Sequence, residues 1–132
     1  MGDLWSGEKN QNKTKRQVPR FRVTPLLPIS VSIFHAKEKT FSALTFSPKG
    51  LGFLGLPEDS GLAHLKNIDL KIKMDKFCID VKANVQYCSP VEKPNGRFNY
   101  FGLQFIGVKP LLNNFLEQFI AERFKKRQLI LR

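Results

Sequence analysis

The chain of 132 residues is long enough for one domain and a short tail. Hydrophobic residues make up 42% of it and include 12 phenylalanines, so it can bury a core, and the composition excludes an intrinsically disordered chain. The formal net charge of +11 attracts anions, which makes nucleic acid, a nucleotide, an acidic protein or an anionic membrane surface candidate partners.

Residues 1–14 are polar and without periodicity, and we interpret them as a flexible N-terminal tail. They lack the apolar run of a signal peptide. The chain also has no stretch of the roughly 18 apolar residues that a transmembrane helix needs. We therefore expect a cytoplasmic protein with no transmembrane segment.

Apolar runs separated by turn residues predict strands in the first half of the chain. The predicted strands cover residues 29–36, 40–46 and 51–56, and the predicted turns and loops cover residues 37–39, 47–50 and 57–66. Pro25 and Pro28 bracket Leu26-Leu27 and favour a bend or an edge strand there, not a central strand. In the turn Ser47-Pro48-Lys49-Gly50, the glycine can adopt a positive φ.

The clearest pattern is the alternation of apolar and polar residues from Ile68 to Tyr87, which predicts two strands with one buried face. Asp75-Lys76 is the predicted tight turn between them, and Tyr87 falls on the apolar, buried side. Residues 90–96 predict a longer turn, and residues 98–108 predict the last strand.

The two cysteines, Cys78 and Cys88, share one predicted strand and would lie about 33 Å apart at about 3.3 Å per residue. A disulfide requires Cα atoms within about 7 Å. We therefore expect free thiols, in keeping with a reducing cytosol.

Pro110 opens a predicted helix, because proline is favoured in the first turn. Apolar residues then recur at helical spacing as far as Phe124. Residues 125–132 follow as a basic and apolar C-terminal extension, in which residues 129–131 either lengthen the helix or form an exposed apolar tail. Repeated hairpins without strand–helix–strand alternation exclude a parallel sheet. The sequence thus predicts an all-β fold: a small antiparallel barrel of six or seven strands with a C-terminal α-helix.

Catalytic patterns are missing from the sequence, which contains no Gly-x-Ser-x-Gly, His-Glu-x-x-His or phosphate-loop motif. His35 and His64 have no local partner, and the scattered acids fit a solvated face. With only these histidines and two cysteines, no metal-ligand spacing occurs either. We therefore expect no catalytic residues, no metal and no cofactor, and we interpret the protein as a binding module and not an enzyme.

Basic residues are concentrated just ahead of the first strand, at Lys13, Lys15, Arg16, Arg20 and Arg22. Pro19 favours an extended segment between Arg16 and Arg20. A guanidinium group can grip a phosphate with two hydrogen bonds and can also stack on a base. From charge alone, a solvated basic linker is an equally good interpretation.

A second candidate cluster is Thr45-Phe46-Ser47-Pro48-Lys49-Gly50, where the end of a strand supplies two hydroxyls. The glycine lets the backbone approach a ligand closely. Taken alone, this segment is only a hairpin turn.

Together the two clusters resemble the PilZ domain family. Arg16-x-x-x-Arg20 is similar to its N-terminal arginine motif, and Ser47-x-x-Gly50 is similar to the end of its [Asp/Asn]-x-Ser-x-x-Gly motif, about 25 residues further on. Residues 100–106 and the helix after them resemble the family's last strand and closing helix. We therefore predict a PilZ-like domain over residues 15–124.

The resemblance implies binding of cyclic di-GMP, a ligand with two phosphates and two guanines. Arg16 and Arg20 would hold phosphates and contact guanine, Ser47 would contribute a hydroxyl, and Gly50 would bring the backbone close. Thr45 stands where the family has Asp or Asn, which implies a weaker guanine contact or none. Lys15 stands where some members carry a further arginine that favours a paired ligand. The number of ligands bound, one or two, is therefore left open.

Three functions follow from these residues. The first is a cyclic di-GMP receptor that changes conformation and signals through an unknown effector protein. The second is a degenerate PilZ-like interaction module that binds no cyclic di-GMP and works through its helix and residues 129–131. Nucleic-acid binding is the least favoured, because the aromatic residues fall on the apolar side of the strand alternation.

Overall fold

Within residues 20–132, which the computed structural model describes, eight strands, one 3₁₀ helix and one α-helix are formed. In chain order they are β1 (Phe21–Val23), β2 (Ile29–His35), β3 (Lys37–Ser47), β4 (Gly50–Gly55), the 3₁₀ helix Pro57–His64, β5 (Ile68–Met74), β6 (Phe77–Lys93), β7 (Gly96–Ile106), α1 (Pro110–Lys125) and β8 (Leu129–Leu131). In this part of the chain, no helix is long and apolar enough to cross a membrane.

The strands form one antiparallel sheet in the order β2-β5-β6-β7-β4-β3-β1-β8. An additional pairing of β2 with β3 closes six of these strands into a barrel. The short strands β1 and β8 continue the sheet beyond β3. The predicted antiparallel barrel with a C-terminal helix is thus confirmed.

The apolar residues of the alternating strands β5 and β6 fill the barrel interior, as their pattern predicts. Leu70, Ile72 and Met74 are buried, while Asp69 and Lys73 between them are exposed. The helix α1 packs its buried residues Leu116, Phe119 and Ile120 onto this core. Each fully buried side chain of this size stabilises the fold by roughly 1.5–3 kcal/mol, so the core dominates the fold's stability.

Two predicted turns are wrong in their extent. The charged triplet 37–39 belongs to β3, and the chain reverses at Ala36, whose φ is 62°. Similarly, β6 runs on to Lys93 through Pro90, where the sequence predicts a turn. Proline is tolerated there because the pairing of β6 with β5 extends only as far as Ala83, which lies opposite Ile68, the first residue of β5. Beyond it β6 is paired with β7 alone, so no second strand needs the missing N–H.

Residues 57–66, predicted as a loop, contain the 3₁₀ helix Pro57–His64. Its buried carboxylate, Asp59, accepts a hydrogen bond from the N–H of Leu56 at 2.8 Å and forms an ion pair with Lys39. These two contacts satisfy the buried charge and fix the segment against β3.

Residues 129–131 form neither a helical extension nor a free tail. They make the strand β8, which pairs antiparallel with β1 over three residue pairs. Leu129 is completely buried, whereas Ile130 and Leu131 are exposed. Ile130 is exposed because a strand places alternate residues on opposite faces. Leu131 is on the same face as Leu129 but is exposed at the last residue of the strand.

A β-bulge in β6 changes which residues face the core. Val85 lies opposite Leu103 and Tyr87 lies opposite Gly102, so Gln86 is the extra residue. The prediction that Tyr87 is buried is therefore wrong, since its side chain is 41% exposed. Cys88 instead packs against the core, and its burial raises the pKa of its thiol. Cys78 and Cys88 both lie on β6 as free thiols, as predicted.

Candidate ligand-binding surface

One row of paired residues crosses five strands on the outside of the sheet. Arg22 of β1 lies opposite Thr45 of β3, Thr45 opposite Gly52 of β4, Gly52 opposite Gly102 of β7, and Gly102 opposite Tyr87 of β6. Residues directly opposite in an antiparallel sheet point to the same face. Arg22 and Tyr87 at the two ends are exposed, so the row lies on the outer face.

Two glycines in this row, Gly52 and Gly102, leave room above the sheet for two aromatic side chains. These are Tyr100 and Tyr87, which we name the tyrosine pair. A Cβ atom added at Gly52 would lie 1.9 Å from the Tyr100 hydroxyl, and one added at Gly102 would lie 2.5 Å from Cε1 of Tyr87. The two rings stack, with centroids 5.9 Å apart and planes 29° apart. Both rings therefore rest directly on the backbone of the sheet.

Hydrogen bonds hold both phenol groups. The hydroxyls of Tyr100 and Thr45 lie 3.0 Å apart, and Arg20 donates from Nη1 to the hydroxyl of Tyr87 at 3.3 Å. The Thr45 side chain is only 6% exposed, and its hydroxyl is already hydrogen-bonded to Tyr100. A continuous set of contacts thus runs from Arg20 over the two rings to Thr45.

Arg20 is also fixed through its backbone. Its carbonyl oxygen accepts a hydrogen bond from the N–H of Arg132 at 3.0 Å. The strand that begins at the next residue, β1, is paired with β3 on one side and with β8 on the other. We name residues 16–20, which carry Arg16 and Arg20, the arginine segment. Its described end, Arg20, is therefore anchored where it meets the tyrosine pair.

Ser47 and Gly50 lie at the adjoining β3–β4 turn. The Ser47 hydroxyl accepts a hydrogen bond from the N–H of Lys49 at 3.2 Å and donates one to the carbonyl of Gly50 at 3.4 Å, and the side chain is only 4% exposed. A Cβ atom at Gly50 would lie 2.1 Å from the carbonyl oxygen of Leu103. The glycine is needed because β7 comes so close. Gly50 does not use its freedom to adopt a positive φ in this turn.

The structure brings together only part of the predicted site. Arg20 and Thr45 meet through the tyrosine pair, and Ser47 follows Thr45 on the same face of β3. Lys15 and Arg16 lie outside the described residues, so the convergence of Arg16 with Arg20 stays a prediction. The ligand roles of Ser47 and Gly50 also stay predictions.

The tyrosine pair and the two glycines beneath it are not predicted by the sequence patterns. The bulge at Gln86 moves Tyr87 to the outer face, and strict alternation does not predict it. A usable signal was present in Leu51-Gly52-Phe53 and Phe101-Gly102-Leu103, where a glycine stands between apolar residues on each of two strands. Glycine in a strand often marks a close approach by another group.

The chemistry of this surface suits a planar anion. Guanidinium groups at one edge attract phosphate, and exposed aromatic faces can stack on a base. No group of three His, Cys, Asp or Glu side chains that could hold a metal ion occurs among residues 20–132.

Comparison with protein-family models and with curated protein sequences finds no match. Solved structures do match. K. pneumonia MrkH in complex with c-di-GMP superposes with a TM-score of 0.74 at 17% identity, over 88% of this chain and 55% of MrkH. The PilZ domain of YcgR from Escherichia coli, solved with c-di-GMP, gives 0.65 at 15% identity, over 87% of this chain and 95% of that domain.

The Bacillus subtilis inhibitor of motility MotI gives a TM-score of 0.62 at 16% identity, over 88% of this chain and 54% of MotI. The chain therefore spans about half the length of MrkH and MotI, and it matches nearly the whole PilZ domain of YcgR. These likenesses show that the chain has the fold of a PilZ domain.

Proposed function

We propose that this protein is a cytoplasmic receptor for cyclic di-GMP that signals through a partner protein and has no enzymatic activity. The observation that carries the proposal is the contact of Arg20 with Tyr87 on the outer face of a PilZ-type barrel, next to Thr45. This contact brings a guanidinium group to an exposed aromatic ring. Two of the solved neighbours, MrkH and YcgR, carry the same ligand.

The ligand's chemistry matches these groups. Its two phosphates pair with guanidinium groups, for which the chain offers Arg20 and, outside the described residues, Arg16. A hydrogen bond to a charged group contributes roughly 1.5–3 kcal/mol. The loss of one arginine therefore lowers affinity about 10- to 100-fold.

Ligand capture would act as a switch by drawing the segment around Arg16 onto the barrel. That segment leads directly into β1, which is paired with β8 at the far edge of the sheet. Ordering of a segment on binding is a common basis for regulation. The conformational change would reach the partner protein through this edge.

Isothermal titration with cyclic di-GMP, with GTP as the control ligand, tests the proposal. We expect the unaltered protein to bind, and Arg16→Ala and Arg20→Ala each to lose about 10- to 100-fold in affinity. The matched control is Arg97→Ala, since Arg97 is an exposed arginine at the start of β7 that forms an ion pair with Glu92 and should not affect binding. Absence of binding, or equal affinity in all three variants, contradicts the proposal.

A second candidate is an interaction module without a nucleotide ligand. The observation that favours it is the engagement of the Thr45 hydroxyl by Tyr100, which leaves that group less available to a guanine. A negative titration with cyclic di-GMP, together with capture of a partner protein that survives Arg20→Ala, would support this candidate over the receptor.

A further inference from the structure

We propose that Tyr87 and Tyr100 form the surface on which a base of the ligand stacks, and that they determine the ligand's affinity together with Arg20. This inference rests on the proposed function, because it names the part of the same site that receives the base. Its first support is shape. With glycine at positions 52 and 102, both tyrosine side chains lie directly over the backbone of the sheet.

The tyrosine pair is not explained by core packing. Phe101 of β7 and Phe53 of the neighbouring strand β4 point to the opposite face, where they are completely buried. They stack on each other with centroids 5.2 Å apart. The interior is therefore filled without the tyrosines, which lie on the wet side of β6 and β7.

Both rings are preorganised for binding. The Tyr87 hydroxyl accepts from Arg20, and the Tyr100 hydroxyl is bonded to Thr45, while the rings stack on each other. A ring that is already fixed loses little conformational entropy when a ligand arrives. Tyrosine offers a large, rigid contact area with a polar end, which suits it to a binding surface.

Two arginines, Arg20 and Arg22, lie at the edge of the tyrosine pair. Arg20 reaches the hydroxyl of Tyr87, and Arg22 begins the row that leads through Thr45 to the glycines. A base stacked on the rings would therefore carry its attached phosphate toward guanidinium groups. Aromatic stacking and phosphate pairing together select a nucleotide over a simple anion.

Replacing each ring tests the stacking contact. Titration of cyclic di-GMP into Tyr87→Leu and Tyr100→Leu should show a loss of about 10-fold or more, because leucine keeps apolar bulk but has no aromatic face. Tyr87→Phe and Tyr100→Phe keep the ring and should stay within about 3-fold of the unaltered protein. Phe34→Leu, at an exposed aromatic residue of β2, is the matched control and should bind normally. Circular dichroism of every variant verifies that it is folded.

A second measurement does not depend on substitution. The chain contains two tyrosines, so ¹³C-labelled tyrosine in nuclear magnetic resonance reports on this pair alone. Stacking of a base should move the ring signals upfield at saturation. If the protein binds cyclic di-GMP but the leucine variants bind equally well, or the tyrosine signals stay in place, the stacking surface is overturned and the receptor stands. If the unaltered protein binds nothing, both proposals fail.

Discussion

Gly50 shows how one missing side chain shapes the candidate site. A Cβ atom at position 50 would lie only 2.1 Å from the carbonyl oxygen of Leu103, which is too close for a side chain. The N–H of Phe105 also donates a hydrogen bond to the carbonyl of Lys49 at 2.8 Å. The β3–β4 turn is thereby packed onto β7. The Ser47-x-x-Gly50 pattern thus has a structural basis that holds whether or not a ligand contacts these residues.

Gly50→Ala should lower the free energy of unfolding by about 1–3 kcal/mol, because β7 must move to admit the methyl group. Urea unfolding followed by circular dichroism measures the change. Gly61→Ala is the control, since a Cβ atom at Gly61 meets nothing within 4 Å. Equal stability of both variants would show that the close approach of β7 is not a constraint.

The charged and hydroxyl members of the site can be predicted from the sequence, but its aromatic members cannot. Arg20 and Thr45 stand out by residue type and spacing. The alternation of apolar and polar residues predicts that Tyr87 is buried, because a two-residue repeat carries no information about a one-residue bulge. The pairing of Gly52 with Gly102 depends on strand register, which local patterns do not specify.

At the scale of elements, β8 connects the end of the helix to the arginine segment. It follows α1 after a short turn at Arg127, whose φ is 60°, and it pairs with β1. The Thr24 hydroxyl also donates to the carbonyl of Gln128 at 2.6 Å, which ties the two segments together. The position of Arg20 therefore depends on an element more than a hundred residues away in sequence.

Leu129→Ala should destabilise the protein by about 2–5 kcal/mol, because Leu129 is completely buried beneath this pairing. Leu131→Ala, on the same strand but with a side chain 53% exposed, should stay within about 0.5 kcal/mol of the unaltered protein. Thermal and urea unfolding compare the two. A similar loss in both variants would mean that burial of Leu129 does not hold β8 in place.

The sequence predicts well those elements whose pattern is local. The alternation defines β5 and the part of β6 before its bulge closely, and the helical spacing after Pro110 defines α1. The Leu-Ile-Leu run of β8 has no local signal that distinguishes a strand from a helical turn, because its pairing partner lies at the other end of the chain. The charged triplet at 37–39 suggested a turn, although its residues pair with β2 and face solvent.

For the whole molecule, the net charge of +11 raises the local concentration of any anionic ligand. This attraction is general and does not by itself select a nucleotide. Selection must come from the local arrangement of Arg20 and the tyrosine pair. Salt separates the two effects, because it screens distant charges more than groups in contact.

Affinity for cyclic di-GMP should fall by about 3-fold or more between roughly 50 and 500 mM salt, as screening weakens the attraction. The variant Lys93→Gln/Arg97→Gln removes two charges at the far end of the β6–β7 hairpin. Arg97 lies three residues from Tyr100, or roughly 10 Å along β7, and five residues from Gly102, or roughly 17 Å. Since the Debye length is about 8 Å at physiological salt, the affinity of this variant for cyclic di-GMP should differ less than 2-fold from that of the unaltered protein at that salt concentration. A large loss would mean that general charge, and not the local site, governs binding.

The whole fold could be predicted more fully than its edges. Hairpin repetition and the absence of strand–helix alternation define an antiparallel barrel, and closure through β2 and β3 follows from the need to pair exposed strand edges. The position of the sheet extension β1–β8 results from tertiary packing around Leu129, which composition and spacing do not encode.

The backbone hydrogen bond between Arg132 and Arg20 has a practical consequence for labelling. A small fluorophore attached to residue 132 would sit next to the arginine that faces the tyrosines, so its emission could report ligand arrival without any change within the barrel. A bulky label at the same position would crowd that arginine, so large labels are better placed elsewhere.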